Sequence, residues 1–128
     1  MTDRISDMLN RMKNAGAVGH EVVAVPYSSI NLSILDILKG HSFIEDFEKP
    51  DKNSRTIEVT LKYKNGKHRI RGSKRYSKSS RRVYKRVSDI RSVKNGYGIM
   101  VLSTSKGLKT DAEAKKEEVG GEALFAIW

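Results

Sequence analysis

The stretch from residue 57 to residue 70 restricts the possible folds more than any other. Ile57, Val59, Leu61 and Tyr63 alternate with polar residues, and Asn65-Gly66 then separates them from Lys67-His-Arg-Ile70. A period of two buries one face of a strand and wets the other. Asn-Gly is the favoured centre of a two-residue hairpin because both positions must accept positive φ. The chain is thus expected to contain an antiparallel hairpin with one covered face.

Upstream, two segments have the period of helices. Ile5, Met8, Leu9 and Met12 fall at i, i+3, i+4 and i+7, with Gly16 placed to end that helix. A second helix is predicted from Ser28 or Ser29 to Lys39, with an apolar face of Ile30, Ile34, Leu35, Ile37 and Leu38 and with Gly40 as its C-cap. Glu21-Val-Val-Ala-Val25 before Pro26 reads as a strand, as does Phe43-Ile-Glu-Asp-Phe47, with a polar turn around Pro50 to Asn53.

Downstream, Arg82 to Val87 and Ile99 to Leu102 read as strands, with a short helical turn over Ser88 to Val93 and a turn at Asn95 to Gly98. Ser103-Thr-Ser-Lys-Gly107 reads as a polar loop leading into a helix. Thr110-Asp-Ala-Glu113 fits a capping box for that helix, which is expected to run to about Val119 and stop at Gly120-Gly121; Glu122 to Trp128 would be a terminal strand. This order predicts an α+β protein of two small lobes. Residues 1–66 would form a two-layer lobe of helix, strand, helix and strands, and residues 67–128 a mostly β lobe with one short helix.

Charge then narrows the partner. The chain carries +10, and the segment from Lys67 to Lys94 holds 12 basic residues against the single acid Asp89, while the rest holds 13 bases and 14 acids. One segment supplies the whole excess, which suits phosphate contacts of salt-dependent affinity. A solvated basic tail would not need the Ile70, Tyr76, Val83, Tyr84 and Val87 found within it. Membrane is the main competing polyanion. No apolar stretch approaches a bilayer span, and Met1-Thr-Asp-Arg4 lacks the apolar core of a signal peptide, so the reading is a soluble, unexported protein. With no cysteine, disulfides and thiolate metal sites are excluded.

Catalytic and metal motifs fail on their spacing. Ser103-Thr-Ser-Lys106 formally matches S-x-x-K, but Gly107 follows at once and no S-D-N or K-T-G accompanies it. After His20-Glu21 a zinc-protease motif would need histidine at position 24, which is Ala24, and His41 and His68 have no histidine at ligand spacing. No phosphate loop is present, and Glu45-Asp46 is explained by solvation or pairing with lysine. The reading is a non-enzyme without cofactor or metal. The Ser103–Gly107 hydroxyls, backbone N–H groups and charge suit a sugar-phosphate surface, but the hydroxyls equally suit capping of the protein's own turn. Tyr76 and Tyr84 suit either base stacking or a core.

The run Leu102-Ser-Thr-Ser-Lys-Gly-Leu-Lys-Thr-Asp111, with Glu113-Ala114, Val119-Gly-Gly-Glu122 and the closing Trp128, resembles the C-terminal signature of the ribosomal protein S-eight family, the eighth protein of the small subunit. Asp7-Met-Leu-Asn-Arg11, Asn14-Ala15, Val25-Pro26, Phe43-Ile-Glu-Asp46 and Arg82-Val-Tyr-Lys85 match in order, so the resemblance covers nearly the whole chain. It implies a cytoplasmic, structural constituent of the small ribosomal subunit that binds ribosomal RNA early in assembly, orders the central region and lies among neighbouring small-subunit proteins. It also implies repression of its own operon through a similar messenger RNA structure. The alternative is a regulatory RNA-binding protein acting off the ribosome.

By position, the resemblance assigns RNA contact to Ser103, Thr104, Ser105, Lys106 and Gly107, with Gly121 and Glu122; from the basic tract come Arg81, Arg82, Tyr84 and Lys85. Glu122 is expected to order the loop or to accept from a base or ribose hydroxyl. Four departures stand out. Ser28-Ser-Ile-Asn31 replaces a Ser-Lys-Leu-Lys run, Ser79-Ser80 replaces Pro-Gly, Phe125-Ala126 replaces Cys-Tyr near the expected RNA face, and Lys109 replaces a frequent methionine as an added phosphate contact.

Overall fold

A computed structural model describes residues 3–48, 51, 53–78 and 80–128. They form two compact units, one ending at Arg71 and the other beginning at Gly72. The architecture is α+β. The turn expected around Pro50 and the Ser79-Ser80 departure involve positions outside the described residues.

In the first unit, helix α1 (Arg4–Ala17) starts at Asp3, whose carboxylate accepts from the Ser6 backbone N–H at 3.1 Å. Such a cap satisfies one of the donors that a helix start leaves free, a contribution of about 1 kcal/mol. Ile5, Met8, Leu9 and Met12 are buried, as their spacing requires. Strand β1 (Val22–Pro26) leads to helix α2 (Ser29–Gly40), capped by the Ser28 hydroxyl accepting from Asn31 N–H at 3.1 Å. Asn31 is fully buried and donates to the Pro26 carbonyl at 2.9 Å. The departure at Ser28–Asn31 thus serves the start of α2 itself.

Strands β2 (Ile44–Glu48) and β3 (Thr56–Leu61) complete an antiparallel sheet in the order β1-β3-β2, against which the helices pack as a second layer. Ile57, Val59 and Leu61 bury the alternating face. Asp46 accepts from Lys39 at 2.8 Å, the local lysine pairing that the sequence suggests for this acidic pair. Two short strands, β4 (Tyr63–Lys64) and β5 (Lys67–His68), close the expected hairpin, with Asn65 at φ 53° and Gly66 at φ 75°. Strand β5 itself ends at His68, although Arg69 N–H still donates across to the Lys62 carbonyl at 2.9 Å, and Ile70 is buried.

Neither helix-ending glycine acts as expected. Gly16 lies inside α1, and its missing side chain makes room for His68, because a Cβ there would sit 1.8 Å from the imidazole Nδ1. The positive φ after α1 falls at Gly19. Gly40 is the last residue of α2; His41 caps it, and Ser42 takes positive φ at 64°.

The second unit is built on strand β10. Strands β6 (Ser73–Arg75), β7 (Tyr84–Lys85), β8 (Ile99–Thr104), β9 (Gly107–Thr110) and β10 (Gly121–Ile127) form one antiparallel sheet in the order β6-β10-β8-β9. β7 pairs with the start of β10 and β6 with its end, both on the edge that β8 leaves open. The strand expected over Arg82 to Val87 is only these two residues of β7, because the chain enters a 3₁₀ turn at Val87–Asp89; a second such turn spans Lys94–Gly96.

Helix α3 (Asp111–Lys116) has the full capping box, with Thr110 and Glu113 bonding reciprocally. It ends three residues before Val119, as Glu117 caps it and Glu118 takes positive φ at 56°. Ile90, Val93, Met100, Leu102, Ala114, Ala123 and Ala126 form the core, with Tyr76 and Val83 packed against it. Ala126 is 1% exposed, so the Phe125-Ala126 departure falls in the interior and removes nothing from an outer face.

Candidate nucleic-acid interface

The segment read as a Ser103–Gly107 loop between strand and helix is a tight hairpin. Ser103 and Thr104 complete β8, Ser105-Lys106 make the turn, and Gly107, at φ 101°, opens β9, a strand that the sequence reading missed. Ser103 therefore lies on a strand and Lys106 in a turn, which removes the helical spacing that an S-x-x-K nucleophile needs.

The hydroxyls divide into two kinds. Thr104 Oγ1 donates to the Gly107 carbonyl at 2.7 Å and accepts from Lys106 N–H at 3.1 Å, so Thr104 caps its own turn. Ser103 and Ser105 are exposed, and their hydroxyls have no partner among the described residues. They remain free to exchange hydrogen bonds with an incoming ligand, as Lys106 at the tip is free to offer its ammonium.

Register gathers four strands into one row. Tyr84 of β7 lies opposite Glu122 of β10, Glu122 opposite Ser103 of β8, and Ser103 opposite Leu108 of β9. Directly paired residues point to the same face of a sheet, so the row places a phenol, a carboxylate, a hydroxyl and an aliphatic group side by side over about 14 Å. Tyr84 is 71% exposed, whereas Tyr76 is packed against the core; of the two tyrosines, only Tyr84 presents a ring for stacking. Sequence reasoning missed Leu108; once Gly107–Thr110 is known to be a strand, alternation places it beside Ser103 and turns Lys109 away. Lys109 lies over the α3 side, 3.2 Å from Glu117, so that ion pair occupies the expected extra phosphate contact.

Two glycines bring the row together. At Gly121 a Cβ would stand 2.4 Å from the Ser103 carbonyl oxygen, and at Gly120 one would stand 2.4 Å from that of Lys85. Any side chain there would push β8 or β7 away from β10. Gly121 thus has a positioning role, setting Glu122 between its two neighbours. Glu122 accepts from the Arg82 guanidinium at 3.1 Å, and its side chain is 15% exposed against 58% for arginine. The carboxylate holds a cation at the border of the row.

The remaining basic residues are spread out. Lys67, Arg69 and Arg71 belong to the first unit, where Arg69 stacks on Phe43 with its guanidinium carbon 4.1 Å from the ring centre. Residues 72–128 hold 13 bases and 6 acids. Arg81 and Arg86 are exposed and unpaired among the described residues. Lys85 follows Tyr84 along β7 and so points to the opposite face. Ser103, Tyr84 and Glu122 are therefore brought together, with Arg82 joined to them, Ser105 and Lys106 at the adjoining tip and Arg81 alongside. Thr104, Gly107 and Gly121 shape the hairpin and its register.

Among the described residues no helix is long and apolar enough to cross a membrane. The family model for ribosomal protein S8 matches residues 3–128. The small ribosomal subunit protein uS8 of Mycoplasma mobile is 48% identical over 129 aligned positions, covering 100% of this chain and 97% of the relative. The uS8 proteins of Aster yellows witches'-broom phytoplasma and Streptococcus sanguinis are 49% and 47% identical, each over 100% of this chain and 98% of their own length. The chain belongs to the ribosomal protein S8 family, a family of structural proteins of the small ribosomal subunit.

Proposed function

We propose that the chain binds small-subunit ribosomal RNA in the cytoplasmic ribosome through the outer row of its second unit, and orders the central region of that RNA during assembly. The observation that carries this reading is the alignment of Tyr84, Glu122 and Ser103 on one sheet face beside the free Ser105 hydroxyl. A ribose or base edge exchanges hydrogen bonds with hydroxyl and carboxylate groups, and an unstacked base lies on an exposed ring. Arg81 and Arg82 supply the sequence-independent attraction to phosphate, and Lys106 adds to it at the hairpin tip. Division of labour follows: cations set affinity, and the row sets discrimination. A messenger RNA from the protein's own operon with the same irregular pairing would be bound by the same row, which is the basis on which we assign it a repressor role.

Hydroxyl-radical footprinting of the purified protein on small-subunit RNA tests the proposal. Protection of one irregular helix in the central region is expected, together with co-sedimentation with small subunits. Ser103→Ala should lower the ratio of specific to scrambled-RNA affinity. Protection unchanged in the Ser103→Ala, Ser105→Ala double variant, with the ratio intact, would overturn the row as the reading surface.

A further inference from the structure

The first unit carries a concavity that the sheet-face reading does not use. It lies where the end of α1 meets the chain leaving β5, has a volume of about 300 Å³ and is lined by Lys13, Asn14, Ala17, His68, Ile70 and Arg71. Its chemistry is one-sided: two cations and an amide at the wall, an imidazole, and the apolar surfaces of Ala17 and Ile70. No ion pair neutralises Lys13 or Arg71 among the described residues. Two unpaired cations facing one small volume repel each other, and an anion between them would relieve that repulsion.

The imidazole is held in place. Its ring lies 5.5 Å from that of Tyr63, tilted by 39°, and it fills the space left by the absent side chain of Gly16. Glycine inside a helix is unfavourable relative to alanine, so its presence here fits a requirement for that contact. His68 Nε2 is buried and has no hydrogen-bond partner among the described residues. Buried polar atoms are rarely left unpaired, and Nε2, closed off from solvent, marks a ring held by packing rather than by hydrogen bonds. Burial also holds the imidazole below its ordinary value, towards the neutral form, which keeps one ring nitrogen as a donor and the other as an acceptor.

We propose that this concavity takes a phosphate group, supplied by the RNA backbone, through Lys13, Arg71 and Asn14, with the imidazole of His68 packed at its wall. It would be a second, sequence-independent anchor on the first unit, and it stands or falls separately from the row on the second.

The full chain is titrated with inorganic phosphate, and with chloride at matched ionic strength, while the His68 imidazole and the backbone amides of Lys13, Asn14 and Arg71 are followed by NMR. A saturable shift of these signals with phosphate but not chloride is expected, and it should be abolished in Lys13→Gln, Arg71→Gln. In the RNA arm, the same double variant should lower the slope of log affinity against log salt by about 0.7–0.9, the value for the loss of one phosphate contact, without altering the ratio of specific to scrambled-RNA affinity. Equal shifts with chloride and phosphate, or none with either, would overturn the site. A phosphate shift accompanied by an unchanged RNA salt slope would overturn the RNA backbone as its source, leaving a pocket for free phosphate. Both substituted side chains lie at the wall of the concavity, and an unchanged melting temperature would confirm that the variant folds.

Discussion

The two hydroxyls of the Ser105 turn make opposite predictions that one pair of substitutions separates. Thr104→Ala removes a hydroxyl that donates to the Gly107 carbonyl at 2.7 Å and accepts from Lys106 N–H at 3.1 Å. Each such bond contributes about 0.5–1.5 kcal/mol net, and because this turn is exposed, water partly replaces both, so the loss should be about 1–2 kcal/mol. For a chain of this size that corresponds to a fall in melting temperature of about 4–8 °C. Thr104→Ser keeps the oxygen and should recover most of it. Ser105→Ala removes a hydroxyl with no partner within the protein, so its melting temperature should stay within about 1–2 °C of the parent, as for other surface substitutions. Its cost should appear on RNA instead: about 1 kcal/mol, roughly fivefold, in specific affinity if an opposing polar group is left unpaired, with scrambled-RNA binding unchanged. Thermal unfolding followed by circular dichroism, alongside filter binding to matched and scrambled RNA, gives both quantities for each variant. The division fails if Thr104→Ala leaves the melting temperature in place, or if Ser105→Ala lowers it as much as Thr104→Ala while the binding ratio stays fixed.

Three further outcomes follow from the geometry. Gly121→Ala would force a Cβ to within 2.4 Å of the Ser103 carbonyl, so β8 must separate from β10; a destabilisation of about 1–3 kcal/mol is expected in urea unfolding, and a neutral result would refute the close approach. Reversing Arg81, Arg82 and Lys85 to glutamate should weaken matched and unmatched RNA alike and flatten the salt slope, with Arg81 and Arg82 contributing more than Lys85, which lies on the opposite face; an unchanged slope would count against it. Because burial holds the His68 imidazole below its ordinary 6.5, the unfolded chain takes up a proton that the folded chain resists, so stability should decline as pH falls below about 6.5 and level off below the folded value. Melting temperatures across that range should show the decline in the parent and a shallower one in His68→Gln.

What could be read from the sequence depended on the range of the interaction. The hairpin at Asn65-Gly66 and the Thr110–Glu113 box are specified by residues within a few positions of each other, and both form as their spacing requires. Gly16 misled because its reason lies 52 positions away, at His68, and no local rule separates a glycine that ends a helix from one that admits a neighbour. β9 was missed because Gly107-Leu-Lys-Thr110 is short and begins with a glycine; only its pairing with β8 reveals it as a strand. The same holds for the candidate site. Its residue types were legible one by one, yet the row through Tyr84, Glu122 and Ser103 depends on the register of three strands, which composition does not encode. The paired glycines at 120 and 121 were the available signal, but their spacing reads only as a helix stop, and the resemblance that assigns Gly121 to RNA contact does not show that it sets the register of β8 against β10.

The place of β10 in the sheet has a consequence for how the chain comes into being. β6, β7 and β8 each pair with it, and all three precede it in sequence, so during vectorial synthesis they emerge before the strand that joins them. The first unit, complete by Arg71, can close its own sheet while the second is still being made. Until β10 emerges, β8 and β9 can form at most a hairpin, Tyr84 and Ser103 have no fixed spacing, and Arg82 has no carboxylate to hold it. The discriminating surface would therefore arise in one late step, so a nascent chain could attract RNA by charge before it could tell one RNA from another.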